Sequence, residues 1–227
     1  MKSFDNKWNQ VHQEKNWGRY PSEEVIRFVA RNYFQGDRKN TKILDLGCGS
    51  GANSWFLARE GFATFSFDGS IYALRKAKSF LDSEQVSCIL FQADAAKIPI
   101  IDKCFDAIVD CAAISANTTK GINCILREAY RILKPGGKIF SSGLFARNMT
   151  GYSTGEKLEE NTFRNLTTGA LSQIGTVHFF DREEIIRTWQ SCGFTEVTID
   201  RLERTDNNQS ITISYFLATA TRPEDDD

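Results

Sequence analysis

The sequence predicts an α/β protein built on a doubly wound sheet. Seven strands are expected, mostly parallel, with an antiparallel C-terminal edge strand and helices on both faces. Three observations point there. Short apolar runs alternate with amphipathic helical patterns between residues 42 and 142, the order that places helices over a parallel sheet. A glycine turn, G-C-G-S-G at 47–51, joins the first strand pattern to the helix after it. The last two strand patterns follow each other with no helix between them, and so short a connection makes an antiparallel pair.

Each element has a local reason. Residues 1–20 are polar with scattered aromatics and form an N-terminal cap segment. A helix starts near Pro21 and Ser22 and carries Val25, Ile26, Phe28 and Val29, with proline at a position that suits a helix start. Strands are predicted over 42–46, 63–67, 86–91, 105–110 and 138–142, and helices over 52–60, 71–81 and 121–133. Gly61 ends one helix, as glycine often does, and Lys134-Pro135-Gly136-Gly137 breaks another. Residues 145–180 read as a lid-like insertion, because a polar connection this long is uncommon inside a compact domain. Asp181 then caps a helix to Cys192, with Glu184 three positions on. Strands over 195–199 and 210–219 close a single domain spanning 21–220, and 221–227 forms a solvated acidic tail.

Bulk properties remove several classes. With 227 residues there is room for a sizeable core. The net charge is −1, which offers no broad surface for nucleic-acid phosphates. No apolar run is long enough to cross a bilayer, and the first residues carry no signal-peptide pattern. A cytoplasmic protein without nucleic-acid or membrane partners is expected. The six cysteines are scattered, with no C-x-x-C pair, so they are read as reduced, structural thiols and no metal site is expected.

The ligand end of such a sheet lies beyond the carboxyl ends of its strands. Gly47, Gly49 and Gly51 lie there, where glycine allows positive φ and close approach of a ligand to the backbone. The turn also satisfies a dinucleotide fingerprint, G-x-G-x-x-A. Asp45, two residues before the turn, argues against diphosphate. Two like charges 4 Å apart repel by about 4 kcal/mol at an effective dielectric of 20. A cationic ligand is attracted instead. Asp68 and Asp94 end the next two strands. Asp68 is placed to accept ribose hydroxyls, and Asp94 to accept an adenine amino group.

Five ordered segments carry a family resemblance: I-L-D-L-G-C-G-S-G, F-S-F-D-G-S, Q-A-D-A, F-D-A-I-V-D and R-I-L-K-P-G-G-K-I, across residues 43–140. In these the chain resembles the class I S-adenosylmethionine-dependent methyltransferases, which have a Rossmann-like fold. The resemblance implies S-adenosylmethionine as cofactor, S-adenosylhomocysteine as product, and no metal. It implies that Gly47, Cys48 and Gly49 pass the methionine moiety. Asp68, with Gly69 and Ser70, would hold the ribose. Asp94 and Ala95 would edge the adenine, and Asp110 would lie near the sulfonium. Two other classes stay open: a non-catalytic module that binds this cofactor, and a nicotinamide-dependent oxidoreductase.

The acceptor side must come from outside these segments. Trp17 and Arg19 are candidates to close over the cofactor, with the planar fork of Arg19 on its carboxylate. His12, Tyr20, Arg147, Tyr152 and His178 are candidate acceptor-binding residues, and Tyr20 and His178 candidate bases. The arginines suggest an anionic or sugar-derived acceptor. The expected reaction is methyl transfer to oxygen or nitrogen of a small molecule, and the oligomeric state is left open. The fourth strand continues D-C-A-A-I, without the N-P-P-Y or D-P-P-Y segment of nucleic-acid amino-methylating enzymes.

Overall fold

The computed structural model describes residues 2–225. A seven-stranded sheet runs in the order β3-β2-β1-β4-β5-β10-β9. Its members are β1 (Lys42–Leu46), β2 (Ala63–Asp68), β3 (Ile89–Gln92), β4 (Phe105–Cys111), β5 (Leu133–Phe145), β9 (Thr195–Asp206) and β10 (Ile211–Thr221). β1 to β5 pair in parallel. β10 pairs antiparallel with both β5 and β9, so the antiparallel pair forms the C-terminal edge.

Helices cover both faces. On one lie α2 (Glu23–Tyr33) and α3 (Ala52–Arg59), whose Val25, Phe28 and Leu57 pack on Ile43, Val109 and Phe140 of the sheet. On the other, α5 (Thr119–Ile132) and α6 (Arg182–Ser191) bring Ile125, Leu126 and Trp189 onto Leu44, Ile108 and Ile139. α4 (Ile71–Ser83) follows β2 and is capped by Ser70, whose hydroxyl accepts from the Ala73 N–H. Asp181 caps α6 through the Glu184 N–H at 2.7 Å. A side-chain acceptor at either N-cap satisfies a donor that the helix leaves unpaired.

Four segments depart from the expectation. Residues 7–14 are helix α1 (Lys7–Glu14), not an irregular segment. It is largely polar and only Val11 and His12 are buried, so its apolar period is too faint to read. The Pro135-Gly136-Gly137 turn ends α5 but not the sheet. The chain runs straight into β5, the β4 register shifts between Phe105 and Ala107, and pairing continues through Gly136 N–H to Arg222 O and Arg222 N–H to Gly137 O. The insertion is a three-stranded sheet of β6 (Glu156–Glu159), β7 (Thr162–Arg164) and β8 (Thr176–His178). It has its own core of Met149, Phe163, Leu166, Ile174, Val177 and Phe179.

The C-terminal residues are also less free than a solvated tail. Arg222 is buried and donates to the carbonyls of Tyr130, Arg131 and Leu133, and Asp225 pairs with Lys103. Asp226 and Asp227 lie outside the described residues.

Candidate active site

Beyond the carboxyl ends of β1, β2 and β4 lies a cavity of about 370 Å³. The sheet supplies its floor, with the glycine turn, Asp68, Gly69 and Ala112–Ala113. The N-terminal segment forms one wall through Phe4, Trp8, His12 and Trp17. The insertion forms another through Leu171, Ile174, Thr176 and Val177, next to Phe145 at the end of β5.

The glycine turn is tight for a stated reason. Gly47 has φ +68°, and a Cβ there would stand 2.4 Å from the Ala113 Cβ. The chain therefore passes close under the loop that follows β4. The Asp68 carboxylate lies over this turn. One oxygen accepts the Gly49 N–H at 3.0 Å, the other the Ser70 N–H at 2.7 Å. Each oxygen keeps a further lone pair for a ligand hydroxyl.

Asp45 and Asp110 stand one layer behind and do not line the cavity. Both are buried. Asp45 accepts the Ser54 hydroxyl at 2.6 Å. One oxygen of Asp110 accepts the Ala113 and Ile114 N–H groups, while its Oδ2 is buried without a partner. Burial pushes both carboxyls up to about 7, against the hydrogen bonds that favour their charged forms. Burial also raises Asp68, which two backbone N–H bonds and His12 counter. The same burial lowers His12, with Asp68 opposing. Three buried acids thus meet hydroxyl, backbone and imidazole groups, and no lysine or arginine is among these partners. A buried carboxylate without a cation is costly. The arrangement is completed by a ligand that brings positive charge.

Of the residues expected to touch the cofactor, Trp17, Gly47, Cys48, Gly49, Asp68, Gly69 and Ala95 line this cavity. His12, expected on the acceptor side, lines it beside Asp68. The others stand elsewhere. Ser70 serves α4 as its cap. Asp45 acts from behind the wall, so it is Asp68 that presents a carboxylate to a ligand over the glycine turn. Asp94 is engaged by the N-terminus: Ser3 N–H, Ser3 Oγ and Phe4 N–H donate to it at 2.5–3.0 Å, together with Ala96 N–H. Those bonds outweigh burial and hold its carboxyl below the usual range. The Phe4 ring covers Gly69 so closely that a Cβ there would meet it at 2.0 Å.

Most of the expected acceptor side is turned away from the cavity. Arg19 pairs with Glu84 at 3.0 Å and lies 4.4 Å over the Phe80 ring. Tyr20 is 86% exposed and touches no part of the cavity lining. Arg147 pairs with Asp181 and Glu184. Tyr152 donates to Asn161 and packs edge-on against Phe163 and Phe179 in the insertion core. His178 is buried between the Thr162 hydroxyl, 2.6 Å from Nδ1, and Glu184, 2.8 Å from Nε2. Arg147 and His178 hold the insertion onto the start of α6. None of these five residues lines the cavity.

The sequence did not single out Phe4, Asp5, Trp8, Asn53 or Cys111, and within the 145–180 insertion it pointed to Arg147, Tyr152 and His178 and not to the 171–177 wall. Trp8, Val11 and His12 share one side of α1, but three such residues in a short, polar helix are too few to mark it in the sequence. Cys111 lines the cavity from the end of β4, where it is exposed.

Residues 43–137 match the family model described as a methyltransferase domain. A solved S-adenosylmethionine-dependent methyltransferase from Methanosarcina mazei is similar in fold, with a TM-score of 0.72 and 24% identity over 87% of this chain and 98% of that one. An arsenite methyltransferase of Aquipseudomonas alcaligenes is 34% identical over 116 residues, 46% of this chain and 33% of the relative. A Gallus gallus tRNA N(3)-cytidine methyltransferase is 22% identical over 90% of this chain and 58% of its own length. The chain thus spans a third to somewhat over half of these curated relatives. The matched segment holds the glycine turn, Asp68 and Asp110, the same residues that build the acid-backed cavity floor, so the similarity to methyltransferases and the geometry of the cavity rest on one stretch of the chain.

Proposed function

We propose that this chain transfers the methyl group of S-adenosylmethionine to an oxygen or nitrogen of a small molecule held in the same cavity. The observation that carries this reading is the cluster of Asp45, Asp68 and Asp110 without a cationic partner, behind and beside a turn only glycine can make. The cofactor fits it. Its ammonium and sulfonium bring the missing charge, and its ribose brings hydroxyls to Asp68. When bound, it supplies a methyl group on a good leaving group.

The chain's own residues then have positional work. Gly47, Cys48 and Gly49 pass beside the methionine portion. Asp68 accepts the ribose hydroxyls, and Gly69 and Ala95 flank the base. Trp17 and His12 close the cavity from the N-terminal side, and Phe145, Ile174 and Val177 bound the acceptor half and exclude water. Alignment of an acceptor with a methyl carbon supplies roughly 7–11 kcal/mol in favourable cases. Neither His178 nor Tyr20 is a base in this reading, because neither lines the cavity. The anionic or sugar-derived acceptor drops out as well, since Arg19 and Arg147 are engaged elsewhere.

Calorimetry tests the cofactor first: S-adenosylhomocysteine should bind and NADH should not. Labelled methyl transfer from S-adenosylmethionine into fractionated metabolites then tests the reaction. Tight cofactor binding with no transfer to any fraction would identify a binding module instead.

A further inference from the structure

The lining of the cavity has a one-sided charge. Among its residues the only formally charged side chains are two carboxylates, Asp5 and Asp68; no lysine, arginine or glutamate contributes. Asp68 stands over the glycine turn, where the proposed ribose lies. Asp5 stands on the opposite, acceptor side. Its Oδ2 accepts the Thr176 hydroxyl of β8 at 3.2 Å, and its Oδ1 accepts the Lys7 N–H at 2.9 Å, which fixes it at the start of α1. Oδ1 and Oδ2 each retain a lone pair.

The surroundings of Asp5 are apolar and aromatic. Phe145, Leu171, Ile174 and Val177 form one side. Trp8 and Trp17, with ring centroids 6.3 Å apart, form the other. The Lys7 stem lies beside Asp5 at Gly175, but its ammonium turns to Gln10. A carboxylate that shares a cavity with apolar walls and indole faces attracts a cation on an apolar body, through ion pairing and through the ring quadrupoles. The same carboxylate repels an anion.

Resting on the methyltransferase reading of this cavity, we propose that the acceptor is an amine carried on an apolar body, and that Asp5 is the residue that selects it. Its ammonium group sits at the Asp5 carboxylate and its apolar part between Trp8 and the insertion wall. On that acceptor side Asp5 is also placed to take the proton the ammonium sheds; the freed nitrogen lone pair would then form the bond to the methyl carbon as the methyl–sulfur bond breaks, its electron pair leaving with neutral S-adenosylhomocysteine.

The test uses the full chain saturated with S-adenosylhomocysteine and three probes of one shape: 2-phenylethylamine, 2-phenylethanol and 3-phenylpropionate. Calorimetry at pH 7 should find the amine bound at least tenfold more tightly than the carboxylate, with the alcohol between them. Asp5→Asn should weaken the amine about tenfold and leave S-adenosylhomocysteine affinity unchanged, which also shows that the variant is folded. Equal or tighter binding of the carboxylate overturns the proposal, as does an amine affinity untouched by Asp5→Asn, or no binding of any probe. Failure of S-adenosylhomocysteine itself to bind would instead remove the cofactor reading, and this inference with it.

Discussion

The floor and the walls of the cavity are built by different rules. On the floor, each polar group sits at the end of a strand whose neighbours fix it on both sides. Leu46 pairs with Phe67 and with Asp110, so the glycine turn, Asp68 and the loop after β4 are held in register with one another. The walls come from α1 and from a separate small sheet with its own core. There, most polar side chains are spent on joining segments: Arg147 and His178 on α6, Ser3 on Asp94. A strand end points a residue toward the ligand side by topology alone, whereas a loop residue points wherever its nearest partner is.

The largest expected difference comes from exchanging one polar residue in each region. Asp68→Ala removes the carboxylate from the turn and should weaken S-adenosylhomocysteine by about 1.5–3 kcal/mol, as for bonds to a charged group. His178→Ala should leave that affinity unchanged. It removes one partner each from the buried Thr162 hydroxyl and from Glu184, which keep Glu159 and Arg147, and should cost about 1–3 kcal/mol of stability. Calorimetry and thermal unfolding on both variants read the contrast. An affinity loss in His178→Ala without loss of stability would put the insertion into the binding machinery and erase the distinction.

This difference explains what the sequence made legible. The succession of strands and helices, the acids at strand ends and the turn follow from periodicity and from where strands stop, which are short-range patterns; that Asp110 and not Asp94 joins Asp45 and Asp68 in the buried cluster does not. Gly47 is needed because Ala113 stands 2.4 Å from where its Cβ would be, and a glycine at a strand end signals such an approach without naming the neighbour. Asp94 shows the limit. Its position at the end of β3 was readable, but its partners come from residues 3 and 4, ninety positions away. Nothing local to Q-A-D-A announces them. Arg19 and Arg147 carry the same lesson: type and exposure were readable, and the choice of Glu84 or Asp181 as partner was not.

A smaller effect separates the two layers of the floor itself. Burial holds Asp45 and Asp110 at about 7, far above the ordinary carboxylate value near 3.9. Between about pH 4 and pH 7 the folded chain keeps protons that the unfolded chain has lost. Its stability without ligand therefore falls as pH rises through that window and levels above it. A cation in the cavity favours the ionised acids, so its binding releases protons below about pH 7. S-adenosylmethionine differs from S-adenosylhomocysteine by the sulfonium charge, and the ratio of their affinities should rise severalfold from pH 6 to pH 8. Isothermal titration in buffers of different ionisation enthalpy measures both the ratio and the proton count. A flat ratio would mean that Asp45 and Asp110 do not feel the ligand's charge.

The smallest effect is expected where sequence reasoning placed the most chemistry. Arg19 and Tyr20 lie next to the cap and carry the groups that would suit a cofactor carboxylate and a proton transfer. Arg19 is instead held by Glu84 and by the Phe80 face, and Tyr20 stands in solvent. An exposed ion pair is worth about 0–1 kcal/mol, so Arg19→Ala should lower stability by no more than that. Neither Arg19→Ala nor Tyr20→Phe should change S-adenosylhomocysteine affinity by more than about twofold, under roughly 0.4 kcal/mol. The comparison is strict because both residues are separated from Trp17, which does line the cavity, by only one or two positions. A tenfold loss in either variant would show that the segment swings on ligand binding and carries these side chains inward, and the walls would then have to be described by the liganded arrangement.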